Sequence, residues 1–302
     1  MEGNGNHELE NVLAKRKIND GIEEEEGGDE KDAKRQNGVG STVASHYNNL
    51  KEGGLESRKE SRIFFMRNFN NWIKSMLMQE YVSKLEAKGL RGLKVLDLGC
   101  GKGGDLLKWQ KSRVSHVTGL DIAETSIEQC HERFKKMNER RNQNSFSGEF
   151  YAADCTKVRT RDLYSNPDME FDIVSCQFAF HYCFESLPQA ECMLKNISEN
   201  LKVGGFFIGT TPCAYEIMSR LQKAGGSSFG NSVYNISFPE DMVAKPPLFG
   251  AQYNFHLEGV VDCPEFLVYL PLLEKLATKF GLLLVGKERF GNYFNKKKNH
   301  ES

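Results

Sequence analysis

The chain has no apolar run long enough to cross a bilayer. Its longest strongly apolar stretch, Phe266–Leu273, falls far short of the ~20 residues a spanning helix needs. The N-terminus reads Met1-Glu2-Gly3-Asn4-Gly5 and has no apolar segment of the kind that marks a secretory leader. None of the eight cysteines stands in a Cys-x-x-Cys pair, so their spacing offers neither a zinc ribbon nor a dithiol redox motif. Their apolar, strand-like or helical surroundings fit reduced, buried thiols in an intracellular protein. The sequons at Asn196 and Asn235 are then expected to carry no glycan. Net charge is almost absent as well. The 40 Lys and Arg against 41 Asp and Glu leave −1, which excludes a globally basic nucleic-acid coat protein.

What is present divides into two parts. A length of 302 residues suits one large domain with appendages. Residues 1–42 hold 11 acidic and 6 basic side chains, and no Phe, Tyr or Trp precedes Tyr47. Such a segment buries too little apolar surface to offset the entropy of ordering, so residues 1–42 read as a disordered acidic tail. The remaining 260 residues carry 34 basic and 30 acidic groups, a net +4. The tail also contains Lys15-Arg16-Lys17 and Lys34-Arg35, short basic clusters of the nuclear-import type.

The body, 43–302, alternates strand and helix patterns. Ser57–Lys88 shows helical periodicity through Ile63, Met66, Ile73, Met76 and Leu77, and Gly89 closes it. Strand patterns follow at Lys94–Gly99, His116–Ile122, Gly148–Cys155, Phe171–Phe178, Phe206–Thr211 and Leu282–Phe290. Helical patterns separate them at Asp105–Lys111, Glu124–Arg141, Gln189–Leu201, Ala214–Ala224 and Pro264–Phe280. This alternation predicts an α/β fold with a doubly wound, mostly parallel sheet. Residues 225–261 are turn-rich and aromatic, and read as a substrate-side insertion.

The most informative segment is Val95-Leu96-Asp97-Leu98-Gly99-Cys100-Gly101-Lys102-Gly103-Gly104-Asp105. An apolar strand runs into a glycine-rich turn that opens a helix. Gly99, Gly101 and Gly104 fit the dinucleotide fingerprint, with Asp121 placed for a ribose contact, which points to an NAD-dependent dehydrogenase. Asp97 ahead of Gly99, Gly101 and Gly103 also fits the D-x-G-x-G-x-G loop of S-adenosylmethionine-dependent methyltransferases. Asp121 and Asp154 end the next two strands, where ligands of parallel sheets bind. Asp121 can accept from both ribose hydroxyls, and Asp154 from an adenine amino group.

Three further segments narrow the choice. They are Phe69-Asn70-Asn71-Trp72-Ile73-Lys74, Cys176-Gln177-Phe178-Ala179-Phe180-His181-Tyr182 and Phe249-Gly250-Ala251-Gln252-Tyr253-Asn254-Phe255-His256-Leu257-Glu258-Gly259. With the glycine turn, they make the chain resemble the eukaryotic mRNA cap guanine-N7 methyltransferases over about residues 45–290. The resemblance implies a Rossmann-like class I methyltransferase fold and S-adenosylmethionine as methyl donor. It implies that Lys74, Asp97, Gly99, Gly101, Asp121, Asp154, Gln177 and Tyr182 hold that donor. Asn70, Asn71, His181, Tyr182 and Glu258 would surround the cap guanine. Lys102, Lys108 and Arg133 would lie along the cap phosphates. The implied partners are 5′-capped mRNA, a small activating subunit, importin and the transcription and capping machinery, with a nuclear location and no membrane.

This chemistry needs little from the protein by way of acid or base. Guanine N7 carries a free lone pair at neutral pH, so no proton must leave before it attacks a sulfonium methyl. No catalytic acid, base or metal is therefore expected, and His181, Tyr182 and Glu258 would act by positioning. Holding donor and acceptor in line can be worth ~7–11 kcal/mol.

The pattern departs from the resembled family at its end. Six core strands can be counted where seven are expected, so the final antiparallel strand reads as missing. Residues 291–302 form an atypical end, in which no residue can supply the aromatic that the family's last segment brings to the cap pocket. The expectation is a shortened form with an exposed sheet edge and weakened activity. A form that binds cap, cofactor or an activating subunit without turnover is the alternative.

Overall fold

The computed structural model describes residues 9–16, 38–49, 60–139 and 146–299. The described helices, in chain order, begin with α1 (Val39–Asn49), α2 (Phe64–Glu86), α3 (Leu106–Lys111) and α4 (Glu124–Glu139). They continue with α5 (Leu187–Asn200), α6 (Ala214–Ala224), α7 (Glu240–Ala244), α8 (Leu270–Lys279) and α9 (Phe290–Lys297). The strands of the main sheet are β1 (Leu9–Arg16), β2 (Lys94–Leu98), β3 (His116–Asp121), β4 (Ser147–Ala152), β5 (Phe171–Gln177), β6 (Leu201–Pro212) and β11 (Leu282–Arg289).

These seven strands lie in the order β11-β1-β6-β5-β2-β3-β4. The pairs from β4 through to β6 are parallel, whereas β1 runs antiparallel to both β6 and β11. A parallel sheet must be covered on both faces, and its strands read as continuous apolar runs. β5 obeys this, being buried at every residue. One apolar cluster joins Leu96, Leu98 and Val174 to α5 and α8. The other joins Val95, Val117 and Ile173 to α2, α3 and α4. Helix α2 presents Ile73, Leu77, Met78, Tyr81, Val82 and Leu85 to the core, a stripe at helical spacing.

The predicted strands fall where the sequence places them, within a few residues at each end. Three expectations require correction. The place of a reversed strand is not empty, because β1 fills it between β6 and β11. The stretch 9–16 within the tail is thus a strand, and Val39–Asn49, which overlaps the tail's end, is a helix. The rest of the tail call, with Lys17, Lys34 and Arg35, lies outside the described residues. Backbone pairing on both sides supplies what the segment's weak apolar pattern does not.

The insertion is more regular than a turn-rich reading allows. Strands β7 (Ser228–Gly230), β8 (Tyr234–Ser237), β9 (Gln252–Leu257) and β10 (Val261–Phe266) form a second, antiparallel sheet. Ile236, Phe238, Ala251 and Tyr253 from it pack against Ile217 and Leu221 of α6. The helix expected from Pro264 therefore starts only at Leu270, since Pro264 to Phe266 pair with β9.

The chain's last described element is also built in. In α9, Phe290 and Tyr293 pack on Ile73, with Phe69, Trp72 and Met76 of α2 around them. Asn196, one of the two sequons, is buried and donates to the carbonyls of Cys155 and Val158, so that side chain is structural.

Candidate functional site

The glycine turn after β2 is shaped by backbone need. Gly99, Gly101 and Gly103 all have positive φ, at 72°, 52° and 70°, a region that side chains rarely tolerate. Space excludes a side chain as well. A Cβ at Gly99 would stand 2.6 Å from Cβ of Ala179, and one at Gly103 would stand 2.8 Å from Sγ of Cys130. The turn is tied to the next strand, because the amides of Gly99 and Cys100 both donate to the Leu120 carbonyl.

A cavity of about 260 Å³ opens at the carboxyl ends of β2, β3, β4 and β5. Gly99, Gly101, Asp121, Asp154, Gln177 and Tyr182 line it, so six of the eight residues assigned to the donor come together. Asp121 accepts from the amides of Gly101 and Ala123, each at 2.9 Å. Burial pushes its carboxyl above the usual range, and those two N–H bonds offset the rise only in part. Asp154 accepts from the amide and hydroxyl of Thr156 at 3.0 and 2.6 Å. Gln177 donates to Ser175 and accepts from Thr210. Phe178, which follows it, has φ of 60°, a costly backbone for a bulky residue and one that clusters at functional sites. Its amide is held by Thr210, through both hydroxyl and carbonyl.

Lys74 and Asp97 do not line this cavity among its described walls. Lys74 reaches Asp105 at 2.8 Å, and Lys108 meets the same carboxylate at 2.8 Å. Burial works to raise Asp105, yet the two lysines outweigh it and hold the carboxyl below its ordinary value. Asp97 lies beneath the turn, where it accepts from the Trp109 indole at 3.4 Å. Burial, then the Asp105 charge, push its carboxyl up. Lys108 also donates to Asn71 at 3.2 Å, so Asn71, Lys74, Asp105 and Lys108 form one connected group. Asn70 is half-buried on α2, Lys102 sits in the turn, and Arg133 lies on α4. None of these three lines the cavity.

A second buried group adjoins the cavity through Tyr182. His181 and Tyr182 sit side by side in a short helix, Phe180–Glu185, with ring centroids 4.4 Å apart. The Tyr182 hydroxyl lies 3.4 Å from both the Tyr47 hydroxyl and the Cys263 thiol. Nε2 of His181 stands 3.3 Å from Oε1 of Glu265. That approach lacks hydrogen-bond alignment, and both ring nitrogens of His181 are buried without a hydrogen-bond partner. Buried orphans of this kind point to a missing polar partner. Glu265 is anchored on its other side by the Tyr253 hydroxyl, which donates at 2.7 Å.

Glu258 is not part of this group. It is about half exposed and pairs with Arg62 at 3.2 Å, because the β9–β10 turn carries it to the surface. The carboxylate that does lie beside His181 is Glu265. Its sequence signal was a lone acid in Cys263-Pro264-Glu265-Phe266-Leu267-Val268, a more apolar setting than that of Glu258. Tyr47, Tyr253 and Glu185 went unassigned for want of any comparable signal.

The chemistry of the cavity is one-sided. Its described lining includes Asp121, Asp154 and Glu185 but neither Lys nor Arg. Such a wall suits a nucleoside that carries positive charge and hydroxyl donors, with Val43, Ile122, Ala153 and Phe266 as apolar surface for a base.

A sheet with one reversed strand, and an acid-lined cavity at a glycine turn, define the class I methyltransferase type. The sequence profile of the mRNA (guanine-N(7))-methyltransferase domain matches residues 30–302, and the chain belongs to this family. The mRNA cap guanine-N(7) methyltransferase of Drosophila melanogaster is 54% identical over 267 residues, covering 85% of this chain and 62% of that protein. Its counterpart in Caenorhabditis elegans is 44% identical over 259 residues, covering 85% and 68%. The chain thus spans less than two thirds of the fly protein's length. Among solved structures, an S-adenosylmethionine-dependent methyltransferase from Clostridium acetobutylicum is similar over 80% of this chain and 86% of its own, with 16% identity and a TM-score of 0.46.

Proposed function

We propose that the chain transfers a methyl group from S-adenosylmethionine to N7 of the guanosine cap of mRNA. The observation that carries this reading is the acid-lined cavity joined through Tyr182 to the orphaned His181. When bound, the donor supplies an electrophilic methyl on a sulfonium. The protein's part is to hold and orient. Asp121 would accept from the ribose hydroxyls, while Asp154 and Gln177 would fix the base and the amino-acid end along the sheet rim. On the acceptor side, His181 and Glu265 offer a ring with free nitrogens and a carboxylate to a guanine edge. Glu265 can accept from N1–H and the exocyclic amine, and its charge complements the cationic methylated base. Lys102, Lys108 and Arg133 would lie along the cap phosphates, a salt-dependent contribution, with Asn70 and Asn71 toward the guanine and Lys74 toward the donor.

Capped mRNA is the proposed substrate partner. A small activating subunit, importin and the capping machinery are proposed protein partners, and a nuclear location is proposed from the basic clusters of the tail. The test is methyl transfer from labelled S-adenosylmethionine to GpppN-capped RNA by the purified chain, with nuclease release of the methylated cap. Titration with S-adenosylhomocysteine against NADH runs beside it. Transfer with selective S-adenosylhomocysteine binding supports the proposal. Binding without transfer replaces it with the non-catalytic form, and preference for NADH overturns it.

A further inference from the structure

Helix α1 forms the outer wall of the cavity through Val39, Gly40, Val43 and Tyr47. Of its 11 residues only Val43 is fully buried, with Val39 partly buried against the main core, so apolar packing holds it at few points. Its polar ties therefore decide where it lies. Asn48 accepts from the Thr125 amide at 3.1 Å, His46 reaches the Val260 carbonyl at 3.3 Å, and Tyr47 touches Tyr182.

The remaining tie has a different character. The amide of Val39, first in the helix, donates to Oε1 of Glu185 at 2.9 Å. A carboxylate at a helix N-terminus satisfies an orphan donor and meets the positive end of the helix dipole. The other oxygen of Glu185 accepts from Gln189 at 2.8 Å, which fixes the carboxylate's direction. The two glycines beside Val39 allow the approach. A Cβ at Gly38 would stand 3.0 Å from Oε1 of Glu185, and one at Gly40 would stand 3.3 Å from Ile122 and 3.4 Å from Asp154. Gly38-Val39-Gly40 is thus cut to fit between the latch and the cavity floor.

We infer that Glu185 is a positioning residue that latches α1 over the cavity and so controls how long a nucleoside ligand stays bound. Glu185 ends the same short helix that carries His181 and Tyr182. The latch therefore joins the wall of one subsite to the side chains of the other. The inference rests on the reading of the cavity as the donor site.

The test compares wild type with Glu185→Ala, Glu185→Gln and Gly38→Val. Backbone hydrogen exchange over residues 39–49 is read without ligand, and dissociation of S-adenosylhomocysteine is read by competition. Glu185→Ala is expected to lose protection at the start of α1 and to speed dissociation about tenfold, the scale of a charge-assisted hydrogen bond. Glu185→Gln, which keeps an acceptor oxygen, should recover part of both. Gly38→Val should reproduce the alanine variant, because it wedges the latch apart. Unchanged exchange in Glu185→Ala would overturn the latch. Changed exchange with unchanged dissociation would overturn its control of residence. If wild type binds no S-adenosylhomocysteine, the exchange result still judges the latch, and the donor-site reading fails alone.

Discussion

Glu265 Oε1 stands 3.3 Å from Nε2 of His181, and both side chains are almost wholly buried, 84 positions apart in sequence. Only the second sheet brings them together. β10 carries Glu265, β9 carries the Tyr253 that orients it, and the two strands pair Glu265 directly with Tyr253. Leaving a buried polar group without its partner costs about 1–3 kcal/mol, which is roughly 5- to 150-fold. Glu265→Ala is therefore expected to lower kcat/KM for capped RNA by about ten- to a hundredfold. Glu258→Ala, losing only an exposed pair with Arg62, should stay within about threefold. Steady-state methylation of GpppN-capped RNA distinguishes them, and equal losses would sink the assignment.

Asp121 gives a pH signature. Burial holds its carboxyl above the ordinary value, so it takes up a proton sooner than a free carboxylate as the solution is acidified. The sign differs for folding and for binding. A raised folded pKa means that the native state binds the proton more tightly than the unfolded state. This group then adds stability, rather than losing it, as pH falls through the window between its unfolded and folded values. Ligand binding has the opposite trend, since a protonated Asp121 loses acceptor capacity toward hydroxyl donors. Affinity for S-adenosylhomocysteine should thus begin to decline at a higher pH than an ordinary carboxylate would require. Asp121→Asn should bind about tenfold more weakly at pH 7 and lose that dependence. Calorimetric titrations from pH 8 to pH 5 provide the check, and an identical slope in the variant would refute it.

Much of the frame is legible in the residues because it is written locally. The strand Lys94–Leu98, its glycine turn and the acids at Asp121 and Asp154 each announce themselves by apolar runs, φ-permissive glycines and position at strand ends. What escapes reading depends on partners distant in the chain. The strands of the β7–β10 sheet are only three to six residues long, so although Gln252–Leu257 alternates polar and apolar residues, the turn signals around it dominate the reading. Strand β1 has no apolar pattern of its own and is defined by the two neighbours that flank it. Glu258 and Glu265 differ by seven positions on one hairpin, and only the register of β9 on β10 decides which faces His181.

The end of the chain predicts a stability effect. Glu80 of α2 accepts from Lys84 at 2.7 Å and from Tyr293 of α9 at 2.9 Å, and Lys297 lies 3.0 Å away. Burial tends to raise its carboxyl, but these three donors outweigh that and hold it down at about 2. A depressed folded pKa adds stability above the unfolded value of about 4.5, and that stability is lost as pH falls toward about 2. The group is partly solvated, so its worth is about 1 kcal/mol, or ~2–4 °C in Tm at pH 7. Glu80→Gln should show that deficit at neutral pH and a shallower loss on acidification. Phe290→Ala, which empties the buried contact with Ile73, should cost more, about 3–5 kcal/mol. Thermal melts across pH 7 to pH 3 test both, and no difference at pH 7 would show that α9 contributes nothing.

The position of β1 yields the prediction with the widest consequence. Its backbone pairs with β6 from Leu9↔Pro212 to Lys15↔Phe206, and with β11 from Glu10↔Arg289 to Arg16↔Leu282. Among the described residues, β1 is the strand that separates β6 from β11 in the observed order. Without it, the facing N–H and C=O groups of two strands lose their partners, and an unpaired edge invites association between molecules. Residues 9–16 should therefore be needed for the fold, although they precede the residues matched by the family profile. Deleting residues 1–37 keeps α1 but empties this position. The shortened chain is expected to melt several degrees lower and to associate at micromolar concentration. Its amides in residues 206–212 and 282–289 should exchange faster than in the full chain. Should the deletion not fold, Val12→Pro in the full chain serves instead, since proline in a central strand removes a ladder donor. Unaltered exchange in residues 282–289 for both variants would show that β11 does not depend on β1, and the sheet would have to be redrawn with β11 at a free edge.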